Sequence, residues 1–122
     1  MKSLIATTIL LVLTIAAIIV NAIYVESVAA HLQSMLDDLP PVGDPTLVEK
    51  TTAVSDYWDK NVNFVGLSVG YSVIDRVSEQ AAVLIACAEA EDYYGYASAL
   101  ALLRDTISDT HRLEHFSVGN LL

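Results

Sequence analysis

Leu4–Leu39 reads LIATTILLVLTIAAIIVNAIYVESVAAHLQSMLDDL, and the way this stretch divides decides the fold. Its first part, Leu4 to Val25, carries no charged residue. A helix needs roughly 20 mostly apolar residues to cross the hydrocarbon of a bilayer, and this run supplies them. Thr7, Thr8 and Thr14 do not spoil it, because a threonine hydroxyl can donate back to a helical carbonyl. Asn21 and Tyr24 stand at the far end, where polar and aromatic groups suit the membrane interface. The second part keeps a helical period on one side only. Val28, Leu32, Met35, Leu36 and Leu39 share a stripe, with Glu26, His31, Gln33, Ser34, Asp37 and Asp38 between them. One helix is therefore expected to be apolar all round at first and amphipathic afterwards. Pro40-Pro41 ends it, since proline has no N–H for the ladder and disfavours helical geometry in the residue before it.

The flanks give an orientation. Only the amino terminus and Lys2 precede the run; Glu26, Asp37 and Asp38 follow it, and no Lys or Arg appears before Lys50. Positive charge stays in the cytoplasm, so the amino terminus is expected inside and the rest of the chain outside. A cleaved signal peptide competes with this reading. Lys2 would be its n-region and Leu4–Val20 its h-region, with Val20-Asn21-Ala22 or Ser27-Val28-Ala29 as the cleavage site. A signal h-region is about 7–15 residues, shorter than this run, and the amphipathic pattern continues unbroken past Ala22. Both points favour an uncleaved anchor. The expected division is a signal-anchor over residues 1–25, with residues 4–25 in the lipid bilayer of the cell membrane, and an extracytoplasmic helical domain over residues 26–122.

Beyond the anchor lie all 15 Asp and Glu but only five of the six Lys and Arg, a net charge of −10. Such a surface repels phosphate backbones, which excludes nucleic acid as a partner. Cys87 is the single cysteine, so neither an intramolecular disulfide nor a cysteine metal cluster can form. Its neighbours Leu84, Ile85 and Ala88 suggest a buried thiol.

Three more helical stripes follow. Asp44-Pro45 has the form of a helix start, with Asp44 as N-cap and Pro45 at the first helical position. After it come Leu47, Val54, Trp58, Val62, Val65 and Val69. Val73, Ile74, Val77, Ala81, Leu84, Ile85 and Ala88 make the next stripe, closed by Glu89-Ala90-Glu91-Asp92. The last is Ala97, Leu100, Leu103 and Ile107, and the Gly119-Asn120 punctuation predicts a tail that folds back over the bundle. The expected fold is all-α: an N-terminal transmembrane helix with an amphipathic stalk, then three antiparallel helices forming a small bundle. Short amphipathic helices cannot hide their apolar faces alone and must pack on one another.

Phe64–Tyr71, FVGLSVGY, contains Gly66-Leu67-Ser68-Val69-Gly70, the G-x-S-x-G pattern of a hydrolase nucleophile elbow. The elbow needs a strand turning into a helix over a parallel sheet and an oxyanion loop. Neither has room here, so Ser68 as a hydrolase nucleophile is the least favoured reading, and Gly66–Ser72 is expected to turn the chain rather than kink one long helix. His111 and His115 are four apart on the last helix, the spacing at which two imidazoles share a face and can ligate zinc. No glutamate follows the first histidine, and histidines also suit a helix C-terminus for its dipole alone. His31 is the conceivable third ligand. Asp37, Asp38 and Asp44 flank the proline linker and read as helix-end residues rather than a calcium loop. Tyr93, Tyr94 and Tyr96 cluster at a turn. They either plug the hairpin end or offer exposed aromatics to a sugar or protein. Trp58 reads as a core residue.

Trp58, Val73-Ile74-Asp75 and Asn120-Leu121-Leu122 also carry a resemblance. With the spanning helix, they make the whole chain resemble a family of short bacterial membrane-anchored proteins, the domain-of-unknown-function family four-three-six-three. That family has a His-x-x-Ile-Asp pattern and a C-terminal Asn-Ile-Leu. Here Tyr71 stands at the histidine position and Leu121 at the isoleucine. The resemblance implies the same anchored all-α architecture and implies no activity.

These readings converge on a protein without catalytic machinery or cofactor: an interaction, scaffolding or regulatory module of the bacterial cell envelope, working on another membrane or envelope protein, with homo-oligomerisation compatible. The alternative is a module binding a metal or an envelope polymer through His111, His115 and the Tyr93–Tyr96 cluster.

Overall fold

The computed structural model describes residues 1–65 and 70–121, with the side chains of all of these except 64 and 110–121. Among the described residues the chain is all-helical: α1 (Lys2–Asp37), α2 (Leu47–Val65), α3 (Tyr71–Glu89) and α4 (Tyr93–Leu121). Ser68 and the other residues at 66–69 lie outside the described part.

The 36 residues of α1 form one unbroken helix, about 54 Å long at 1.5 Å per residue. Its two halves live in different surroundings. Leu4, Leu10, Leu13 and Ile23 are exposed, whereas Val25, Val28, Ala29, Leu32 and Leu36 are buried. The helix is long and apolar enough to cross a membrane. Thr7, Thr8 and Thr14 donate to the carbonyls of Ser3, Leu4 and Leu10 at 2.7–2.8 Å, so these three hydroxyls need no outside partner.

The inner half of α1 is one of four bundle members. Each helix packs on its sequence neighbour, α4 closes the ring against α1, and among the described residues the backbones of the diagonal pairs stay apart while their side chains share one core. Three cross-helix bonds fix the antiparallel order. Tyr24 of α1 donates to Asn61 Oδ1 of α2. Trp58 Nε1 of α2 donates to Ser78 Oγ of α3 at 2.9 Å. Gln33 Nε2 of α1 donates to the Arg104 carbonyl of α4 at 3.0 Å. The Trp58–Ser78 bond settles the question of turn or kink. In one continuous helix these residues would stand about 30 Å apart, so the chain reverses between α2 and α3. Ser72 lies inside α3, so the turn is shorter than the Gly66–Ser72 stretch expected.

The core stripes are close to those in the sequence, with four differences, the first being that Ile85 is only half-buried and stands outside the core cluster. Ala97 is exposed, and α4 instead buries Tyr96, Ala99, Leu103, Thr106 and Ile107. Thr51 is buried inside the α2 stripe, its hydroxyl bonded to the Leu47 and Val48 carbonyls at 3.0 Å, which makes a polar residue acceptable there. Cys87 is half-buried rather than fully enclosed. The expectation of a tail folding back is corrected outright: α4 continues through Gly119-Asn120 to Leu121. Two weak helix formers cost about 1 kcal/mol or less each inside a helix, too little to end one without a proline or a capping partner.

Turn chemistry sets where the helices end. At the α1–α2 turn Asp44 N–H donates to the Pro41 carbonyl, and Gly43 takes φ +98°, a conformation that glycine adopts without steric cost. Asp44 then caps α2 as expected, its Oδ1 accepting from Thr46 N–H at 2.8 Å and from the Thr46 hydroxyl at 2.6 Å. The α3–α4 turn is tighter. Asp92 N–H donates to the Cys87 carbonyl and Glu91 N–H to the Ala88 carbonyl, which is the Schellman arrangement with Glu91 left-handed at φ 52°. Asp92 also begins the next helix, its Oδ1 accepting from Gly95 N–H at 3.0 Å. A Cβ on residue 95 would come within 2.3 Å of that carboxylate, so glycine leaves the cap its space.

Two predictions follow from these caps. Left-handed geometry costs a side-chain-bearing residue about 1–2 kcal/mol. Glu91→Gly is expected to be about 1 kcal/mol more stable than Glu91→Ala, both having lost the same charge, in urea unfolding of the full chain in micelles. Asp44 has its carboxyl held below the usual value by the Thr46 hydroxyl and amide, with Lys50 helping and desolvation opposing. A folded-state pKa below the unfolded one adds stability above the unfolded value, 3.8, and this is lost as pH falls through the lowered folded value. Asp44→Asn should therefore flatten the acid limb of a melting-temperature–pH profile below about pH 4 and leave its shape near neutrality unchanged.

Candidate functional site

Among the described residues a small void of about 10 Å³ lies at the centre of the bundle, lined by Val25, Val28, Leu32, Trp58, Val77 and Ile107 among others, all apolar. A water there would find none of the 2–4 polar partners it needs. A shallower notch of about 220 Å³ lies between α1 and α4, beside Glu26, Ala29, Ala30, Gln33, Ile107 and Ser108. The Gln33 amide nitrogen is already committed to the Arg104 carbonyl.

The largest concavity among these lies at the end of the bundle where the α1–α2 and α3–α4 turns meet, far from the exposed half of α1. One wall is the linker Leu39-Pro40-Pro41-Val42, and the other is Tyr93, Tyr96, Ala97 and Leu100 at the start of α4. It encloses about 400 Å³ and opens to solvent, room for one or two side chains of a partner. The local sequence explains its shape. Pro40-Pro41 stops α1 and stiffens the linker. The Asp92 cap starts α4 one turn before Tyr96, so the first turn of α4 faces the linker. Arg104 closes the adjoining seam with a 2.6 Å bond to Asp37 Oδ1. Both partners are substantially exposed, so this pair contributes at most about 1 kcal/mol.

The tyrosines do not act as one cluster. Tyr93 and Tyr94 are exposed and meet edge to face, with centroids 5.7 Å apart. Tyr96 is 6% exposed, and its hydroxyl has no hydrogen-bond partner among the described residues. Burial raises its phenol above the ordinary value, with the Arg104 charge opposing. Thus Tyr96 alone seals the hairpin end, while Tyr93 and Tyr94 face outward. The helical period hides this split, because Tyr93 and Tyr96 are three apart and would share a face on an ideal helix. The cleft itself was missed from the sequence because it joins two turns about 50 residues apart; Pro-Pro followed by an acidic Tyr-rich turn is the only trace.

The histidine reading gains nothing here. His31 packs its ring against Tyr57 of α2, centroids 4.3 Å apart. The His111 and His115 side chains lie outside the described part. Among the described residues no three His, Cys, Asp or Glu side chains gather as metal ligands would. Trp58 is 3% exposed and belongs to the core. Asp37 pairs with Arg104 and Asp44 caps α2, which accounts for two of the three linker acids.

Comparison with family models, with curated protein sequences and with solved structures finds no match for this chain.

An unpartnered buried hydroxyl costs about 1–3 kcal/mol of desolvation. Tyr96→Phe is therefore expected to leave the stability of the free chain unchanged or raise it by about 1 kcal/mol, measured by urea unfolding in micelles. A loss beyond 1 kcal/mol would mean that the hydroxyl is bonded.

Proposed function

We propose that this protein is a single-pass, membrane-anchored interaction module of the bacterial cell envelope, with its amino terminus cytoplasmic and its helical bundle outside, where it scaffolds or regulates another membrane or envelope protein. The observation that carries the reading is the unbroken α1, which joins a fully exposed apolar segment to the bundle core without a flexible joint. In water the exposed leucines and isoleucines would drive aggregation; in hydrocarbon they are at home. A rigid connection holds the bundle at a set height above the bilayer, which suits a module that meets a partner in the same membrane. The resemblance carried by Trp58, Ile74-Asp75 and the C-terminal Asn-Leu-Leu agrees with such an architecture.

The reading places a demand on α4. Ile107 lines the same void as Val25 and Val28, and α4 runs antiparallel to α1. Continued in line, the 14 residues from Ser108 to Leu121 would extend about 21 Å along the exposed half of α1. Asp109, Arg112 and Glu114 lie on this overhang, and a charge in hydrocarbon costs at least about 2.5 kcal/mol. In a membrane the overhang must therefore leave the axis of α4 and stay in the headgroup or aqueous layer.

In a Cys87→Ala background, a cysteine at Ser117 is expected to react with a membrane-impermeant maleimide added outside spheroplasts, and a cysteine at Ser3 only after lysis. The tagged chain, cross-linked in its native membrane, should capture a defined partner. Labelling of residue 3 from outside would reverse the topology, and cross-linking that captured no protein would remove the module reading.

A further inference from the structure

We infer that the cleft between Leu39–Val42 and the first turns of α4 is a docking site for an extended, cationic peptide segment of a partner protein, which inserts an aliphatic or proline side chain between Pro40-Pro41 and Tyr96. The inference rests on the interaction-module reading and adds the chemistry of what is bound.

Three independent observations point to this occupant. The cleft walls are apolar and stiff, since two prolines face two tyrosines; an inserted side chain is met by surfaces that lose little freedom on binding. The rim is predominantly acidic. The two turns carry Asp37, Asp38 and Asp44 on one side and Glu89, Glu91 and Asp92 on the other, and no Lys or Arg occurs from residue 31 to 49 or from 77 to 103. The nearest cation along α4, Arg104, is bound to Asp37. Charge complementarity therefore calls for a positive ligand and argues against a second copy of this strongly acidic chain. Finally, Tyr96 lines the cleft while more than nine-tenths buried, with a hydroxyl that has no partner among the described residues. The oxygen itself is closed off from solvent, so a peptide carbonyl would accept its proton only as the ring or the proline linker shifts on binding. Tyr93 and Tyr94 stand exposed on the α4 side, where their ring faces can receive lysine or arginine by cation–π contact.

The cleft holds no bonded catalytic pair, and its size suits one or two side chains, so the specificity expected is for pattern: a positive residue on each side of an apolar one. Binding of this kind is fast and salt-sensitive, because the acidic rim attracts the ligand and the cleft retains it.

The test uses the full chain in micelles and two labelled nonapeptides, three repeats of Lys-Pro-Leu and three of Glu-Pro-Leu, read by fluorescence anisotropy. The lysine peptide should bind saturably and the glutamate peptide at least ten-fold more weakly. Ala97→Trp fills the cleft from an exposed position and should weaken the lysine peptide at least ten-fold. Ala82→Trp, exposed on α3, should leave it unchanged and controls for the added tryptophan. Glu91→Lys should weaken it and reduce its salt dependence. Equal binding of both peptides, no saturable binding, or indifference to Ala97→Trp overturns the assignment. So does a dimer that is lost in Ala97→Trp without peptide binding, which would make a second copy the occupant. Membrane cross-linking separates the two levels. A partner captured equally by wild type and Ala97→Trp sinks the cleft and spares the module. Peptide binding through the cleft with no partner captured in membranes does the reverse.

Discussion

The structure depends on a single feature: α1 is apolar all round over its first half and one-sided over its second, along one unbroken axis. Over its first half the apolar side chains are largely exposed, and the hydroxyls of Thr7, Thr8 and Thr14 fold back onto their own helix. From Val25 onward the same helix presents a single apolar stripe to three others. A helix that is apolar all round has no preferred direction of packing, whereas a one-sided helix does. The bundle therefore begins where the stripe narrows, at Tyr24-Val25, where Tyr24 bonds to Asn61 and Val25 is shut off from solvent. Everything else is assembled against that edge. α2 and α4 flank the stripe, and α3 closes the ring from the far side, its Val77 lining the same small void as Val25 and Leu32.

The ring arrangement explains why the two functional ends differ. Up-and-down topology with short connections places the α1–α2 and α3–α4 turns together at one end and sends the chain terminus toward the other. The end bearing the turns gains proline, tyrosine and carboxylates, because turns and caps demand these residue types. Asp44 and Asp92 are there to cap helices, and Pro40-Pro41 is there to stop one. Their gathering produces an acidic, stiff-walled cleft as a by-product of helix termination. Once present, such a surface needs little further change to recognise a partner.

Much of this was legible in the sequence. The change from all-round to one-sided hydrophobicity near Val25 gave the first helix its two roles, and apolar spacing gave the other three. What could not be read has identifiable causes. Ala97 was assigned to the core and is exposed, because a residue six before Leu103 is off the face that Leu103 and Ile107 share, whereas Tyr96, seven before it, is on that face. Thr51 was passed over because polarity was taken as exposure, although a threonine that bonds its own helix can be buried cheaply. The tail was expected to fold back because Gly119-Asn120 looks like punctuation, and the helix runs through it. The cleft is a tertiary feature, made by two turns that sequence separation keeps apart.

Tyr96 ties the two ends of the argument together. Its phenol oxygen is taken out of water and has no partner among the described residues, at a position where phenylalanine would fill the same space. Evolution toward stability alone would remove that oxygen. A buried polar group without a partner is worth keeping when the partner arrives with a ligand, since the desolvation is already complete and the new bond forms in a low-dielectric setting where it counts for more than in water. Gln80 Oε1 on α3 is likewise buried without a partner among the described residues, so what sets Tyr96 apart is that it lines the cleft, not that it is unsatisfied.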